Sequence, residues 1–67
     1  MTGVPAEIGQ LTNLHVLNLS NNQLTGLPNE LGNLTNLQTL DLRGNSYSKQ
    51  DLDGIRLKLT NTNILVD

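Results

Sequence analysis

Three kinds of residue in this chain have types suited to chemistry. His15 is the single histidine, and histidine titrates closest to neutrality. As a general base it needs a nucleophile and an orienting group within reach. The sequence places no serine, cysteine or carboxylate constellation around His15, which lies between Leu14 and Val16. A surface histidine is expected. Glu7 and Glu30 recur at equal spacing and suggest a carboxylate pair for acid–base work. Nothing in the sequence buries either one enough to raise its pKa. Each heads a short turn, where a carboxylate favours the local dipole. Asn18-Leu19-Ser20 and Asn33-Leu34-Thr35 have the form of a glycosylation acceptor. Both fall out of a longer template, and "MTGVPAEIGQ" lacks the basic and apolar regions of a secretory leader. No catalytic residue is expected, and the chain reads as a non-enzyme.

The totals narrow the classes further. A chain of 67 residues allows one small domain, and such a domain buries little surface without help. With no cysteine, disulfides and thiolate metal sites are excluded. One histidine makes no metal cluster, so neither metal nor cofactor is expected. The net charge is -2 with Lys+Arg of 4, which argues against the clustered basic charge of a nucleic-acid surface. Tyr47 is the only aromatic residue, so no base-stacking platform exists. No apolar run approaches a membrane span. The expected setting is the cytoplasm if the chain is complete.

What positions these residues is a repeat. A shift of 23 residues sets Thr2–Leu24 on Thr25–Tyr47 with 12 identities, too many for chance. "LHVLNLSNNQL" reads L-x-x-L-x-L-x-x-N-x-L at Leu14, Leu17, Leu19, Asn22 and Leu24. "LQTLDLRGNSY" keeps it at Leu37, Leu40, Leu42 and Asn45, with Tyr47 last. Leu17/Leu19 and Leu40/Leu42 alternate with polar residues, the mark of a short strand with one buried face. Asn22 and Asn45 follow where the chain turns off the strand, and their amides suit backbone groups that lack a ladder partner. "LPNELGNL" sends the chain back along the outer side. Pro28 should open a short helical turn there, where its missing N–H costs nothing, and Gly32 should close it.

These motifs resemble the leucine-rich repeat family, in the phrasing of bacterial-type repeats. The resemblance covers residues 2–47 directly. It implies an α/β right-handed solenoid with a short parallel sheet on its concave face. Two repeats of 23 residues would occupy 1–47.

The tail, 48–67, holds no third copy. Ser48 and Asp51 in "SKQD" have the form of a capping box. Leu52, Ile55 and Leu59 then recur with helical period. A helix from about 49 to 59 is expected, with Gly54 costing roughly 1 kcal/mol against alanine. "TNTN" breaks it, and "NILVD" alternates again, placing a last strand at about 63–66. The tail resembles the C-terminal cap of bacterial leucine-rich repeat proteins. Terminal coils must differ from inner ones because their outer face meets water. Leu52, Ile55 and Leu59 should cover that end, and Ile64 and Val66 should lie on the last strand's inner side.

The informative positions are those that differ between copies while the framework stays fixed. They are Val16/Thr39, Asn18/Asp41 and Ser20/Arg43, with His15/Gln38 beside them. Asn63, Leu65 and Asp67 continue the rows. The family resemblance implies a non-catalytic module binding protein or peptide through this face. Its candidate contacts are Val16, Asn18, Ser20, Thr39, Asp41, Arg43 and Leu65. The alternative is a structural segment closing a longer repeat protein, such as a GTPase or effector enzyme whose activity lies outside this chain. At the start of the chain no cap precedes the first coil. Continuation in a longer solenoid, or self-association through this open end, is therefore expected.

Overall fold

The L-x-L alternation around Leu17 and Leu40 becomes a ladder. The computed structural model describes residues 3–67. It contains strands β1 (Val16–Asn18), β2 (Thr39–Asp41) and β3 (Asn63–Leu65), paired in parallel in the order β1-β2-β3. Parallel strands need a long crossover, and each coil supplies one by returning along the outer side. The register sets Val16 beside Thr39 and Asn63, Leu17 beside Leu40 and Ile64, and Asn18 beside Asp41 and Leu65. The middle row faces the core. Rungs continue past the strands, with Leu19 N–H to the Asp41 carbonyl at 2.8 Å and Asn21 N–H to the Arg43 carbonyl at 2.9 Å.

On the outer side two 3₁₀ turns form, Ala6–Gln10 and Asn29–Asn33. Pro5 and Pro28 stand extended just ahead of them, and their carbonyls accept from Ile8 and Leu31 N–H at 3.0 and 3.1 Å. Pro28 thus caps the turn rather than serving as its first residue. Gly32 does not close it either, since the turn runs through Asn33. Gly32 is buried, and a Cβ there would meet the side chain of Lys58, with Lys58 Cβ 3.0 Å away. Its missing side chain is what lets the tail helix lie against the turn.

That helix, α1, spans Lys49–Lys58. Ser48 is its N-cap, with Oγ accepting from Asp51 N–H at 3.1 Å. The Asp51 carboxylate crosses to the second coil, where Oδ2 accepts from Leu27 N–H at 3.1 Å. Arg56 and Lys58 lie in the last turn, where cations suit the dipole. Leu52, Ile55 and Leu59 are buried. Thr62 Oγ1 donates to the Leu37 carbonyl at 2.7 Å, fastening the return into β3.

The core is centred on the second coil. Leu24, Leu31, Leu34, Leu37, Leu40, Leu42 and Ile55 are its fully buried side chains. The second coil is covered on both sides, by the first coil and by α1 with β3. Among the described residues the first is covered on one side only. Leu34 is 0% exposed, whereas its repeat equivalent Leu11 is 51% exposed. Val4, Ile8, Leu14 and Leu17 are likewise only partly buried.

Candidate functional site

The strand residues flanking the core row build the concave face. Val16 is 62% exposed, Asn18 is exposed, and Thr39 and Leu65 are half-buried. The register brings Val16 beside Thr39, and Asn18 and Leu65 to either side of Asp41. Ser20 and Arg43 follow two residues on.

Where each strand ends, the same local device appears. Asn18 Oδ1 accepts from Ser20 N–H at 3.0 Å and from Ser20 Oγ–H at 2.7 Å. Asp41 Oδ1 accepts from Arg43 N–H at 3.1 Å and Nε–H at 3.0 Å, and Oδ2 accepts from Nη2–H at 2.9 Å. This two-pronged pair fixes the guanidinium plane. Asp41 is only 7% exposed, while the Arg43 side chain remains 56% exposed. The side-chain bonds from Arg43, then its backbone N–H, hold the Asp41 carboxyl below the usual carboxylate range. Asp41 in turn raises the Arg43 pKa, and the charge of Asp67 adds to this. Asp67 Oδ2 accepts from Gly44 N–H at 2.8 Å, closing the third row.

Beneath this face lies Asn45. Its Oδ1 accepts from Asn22 and Leu24 N–H, both at 3.0 Å, and its Nδ2 donates to the Leu19 and Leu42 carbonyls at 2.8 and 3.0 Å. One amide thus ties the turn of the first coil to that of the second.

The other candidates are not gathered into a centre. His15 is exposed, and its carbonyl accepts from Gln38 and Thr39 N–H at 2.7 and 3.1 Å. Glu7 and Glu30 line a cleft of about 430 Å³ between the two 3₁₀ turns, with no cationic side chain among its lining residues. A second cleft of about 400 Å³ lies between α1 and the chain end. Tyr47 lines it; burial pushes its phenol up, Asp67 adds to this and Arg56 opposes. A third, of about 320 Å³, is lined by Gln10, Leu11, Asn13 and Leu14. None of the three is lined by the seven concave-face candidates. Among the described residues no three of His, Cys, Asp and Glu group to hold a metal, and no helix is long and apolar enough to cross a membrane.

Sequence reasoning missed two features. Asn21 and Gly44, equivalent in the repeat, both take the left-handed conformation, φ 58 and 76. Their signal was available, because Asn and Gly tolerate that region best. The Asp41–Arg43 pair was also visible as opposite charges two apart on one strand face.

A family model described as Leucine Rich repeats (2 copies) matches residues 12–57. The chain also resembles the solved structure of a leucine-rich repeat protein from Leptospira interrogans, with 45% identity and a TM-score of 0.85. That likeness covers 96% of this chain and 16% of the Leptospira chain, so the present chain spans under a fifth of that relative's length. A search of curated proteins gives no match. With the repeat, the parallel sheet and the family model in agreement, the chain belongs to the leucine-rich repeat family.

Proposed function

We propose that this chain is a non-catalytic interaction module that binds protein or peptide through its concave strand face. Family membership supports the broad reading, since solenoids of this kind offer concave surfaces to partners. The observation that carries the finer one is the register. It lines up the residues that vary between copies over a core row in which Leu40 is fully buried and Leu17 and Ile64 are partly buried. In this reading Val16 and Leu65 supply apolar contact, and Asn18, Ser20 and Thr39 supply hydrogen bonds. Arg43 supplies the charge, and Asp41 holds the guanidinium in place. Residues 1–47 form the two presenting coils, and 48–67 serve as the cap.

Selection of a displayed peptide library on the immobilised chain tests this. Val16→Asp with Arg43→Glu is expected to weaken selected peptides at least about tenfold, the effect of losing about 1.4 kcal/mol. Leu57→Ser, on α1, should leave them unchanged. Peptides equally sensitive to both variants, or to neither, would sink the concave assignment.

A second reading rests on the short span of the Leptospira match. Here the chain closes a longer solenoid, and its cap protects coils that do the binding elsewhere.

A further inference from the structure

At the strand exits the polar groups of the concave face divide by hydrogen-bonding sense. The side-chain oxygens of Asn18 and Asp41 are used within the chain. Asn18 Oδ1 accepts from both Ser20 N–H and Ser20 Oγ–H. Arg43 N–H and Nε–H share Asp41 Oδ1, while Nη2–H takes Oδ2. Donors are what remains. Asn18 Nδ2 and Arg43 Nη1 make no hydrogen bond among the described residues. They belong to an exposed asparagine and to a side chain that is 56% exposed. Amide and guanidinium nitrogens donate and do not accept. These exits therefore offer N–H groups to whatever lies on them. The charge of Arg43 is not free in the same way. Asp41 compensates it at 2.9 Å, and Asp67 also acts on it. One cation thus stands against two anions among the described residues of these exits. Because β2 has a strand on either side, the Asp41–Arg43 arrangement does not depend on coils beyond β1.

We infer that the partner is a peptide segment that meets these exits with neutral oxygen acceptors, main-chain carbonyls or Asn and Gln side-chain amides, and that the face selects against Asp and Glu. The inference rests on the concave-face reading above and names the chemistry of its ligand. The two-pronged pair with Asp41 fixes the guanidinium plane, and so fixes where an acceptor on Nη1 must lie. A carboxylate placed there would join an ion that Asp41 already holds. It would stand close to that second carboxylate, with the charge of Asp67 adding to the repulsion. Like charges brought together at a contact are a direct means of rejecting a partner. A neutral carbonyl accepts the same N–H without that repulsion. Asn18 Nδ2, on the neighbouring strand, suits the same kind of group.

The probes are peptides selected from a displayed random library on the immobilised chain and weakened by Val16→Asp with Arg43→Glu. In synthetic copies each Asn or Gln is exchanged for the matching acid, and each acid for its amide, and dissociation constants are measured by calorimetry. At the position most sensitive to Arg43 the amide is expected to bind at least about threefold tighter than the acid. Added salt should shrink that preference, because it screens exposed charges. Asp41→Asn keeps an oxygen for Arg43 N–H and Nε–H but removes the charge, and should abolish or reverse the preference. Asp67→Asn, at an exposed site, should narrow it by a smaller amount, and so reads the same effect even where Asp41→Asn does not fold. If no selected peptide depends on Val16 and Arg43, the concave reading falls and this inference falls with it. Concave-dependent peptides that bind the acid as tightly as the amide or tighter overturn the inference alone. So does an amide preference that neither Asp41→Asn nor Asp67→Asn alters.

Discussion

Asn22 and Asn45 are the same residue in the repeat and do different work. The Asn45 amide serves two carbonyls and two N–H groups at 2.8–3.0 Å, three of the four belonging to the first coil. The Asn22 side chain makes no hydrogen bond among the described residues. Removing Asn45 would leave part-buried donors and acceptors without partners, and each such orphan costs about 1–3 kcal/mol. Asn45→Ala is therefore expected to destabilise the chain by about 3 kcal/mol, and Asn22→Ala by under about 1 kcal/mol, measured by urea unfolding. Equal losses would mean that the bonds around Asn45 carry no net stability. The type and spacing of the repeat imply that both asparagines satisfy turn backbone, but among the described residues only the Asn45 side chain does so. The sequence does not show which of them has a neighbour, since that depends on coil order and not on local pattern. Asp41 has the same limit. Its alternation marks it as outward-facing, yet it is 7% exposed because Arg43 folds over it. That closure is a side-chain choice which period-2 reasoning does not contain.

At the scale of elements, the outer side of the solenoid is set by two glycines whose missing side chains meet unlike neighbours. A Cβ on Gly9 would lie 2.9 Å from Glu30 Cβ and 3.0 Å from the Glu30 carbonyl oxygen. Two 3₁₀ turns touch there, backbone against backbone. A Cβ on Gly32 would instead meet Cδ and Cγ of Lys58, the flexible part of a side chain, and its Cβ at 3.0 Å. Overpacking costs about 1–3 kcal/mol where the surroundings cannot yield. Gly9→Ala is expected at the upper part of that range. Gly32→Ala should cost less, and most of its cost should vanish when Lys58→Ala removes the clashing atoms. A double-mutant cycle over Gly32 and Lys58 reads this as a favourable coupling; the matching cycle over Gly9 and Glu30 should show little, because the carbonyl stays. A neutral Gly9→Ala would show that the turns have room to separate. The helix behind Gly32 was legible from Ser48, Asp51 and the Leu52–Ile55–Leu59 spacing. The destination of the Asp51 carboxylate was not. A local capping rule keeps the acid at its own helix N-terminus, whereas here it reaches the Leu27 N–H of a neighbouring coil. Glycine at the outer turn reads as a stop in the sequence, because sequence rules weigh its backbone freedom and not what approaches it.

For the whole molecule, coil identity and coil stability separate. The repeat is regular in sequence, but burial rises along the chain, from half-exposed Leu11 to fully buried Leu34. In a solenoid, stability is close to a sum of coil terms and contacts between neighbours. The second coil has both contacts filled. The first has one. It follows that another coil of the same template, fused ahead of Thr2, should stabilise the existing chain through contact alone. Fully burying a leucine-sized side chain is worth about 1.5–3 kcal/mol. Covering the exposed half of Leu11 and the remaining surface of Val4, Ile8, Leu14 and Leu17 should contribute about 3 kcal/mol in total. For a domain of this size that corresponds to a rise of about 10 °C or more in the thermal midpoint. Hydrogen exchange on the fused protein gives the site-specific check. Protection should increase most for amides of the first coil, and least for those of α1, which is remote from the new contact. A higher midpoint with uniform protection would point to a general effect of chain length. An unchanged midpoint would mean that the open face of the first coil gains nothing from a leucine-rich neighbour.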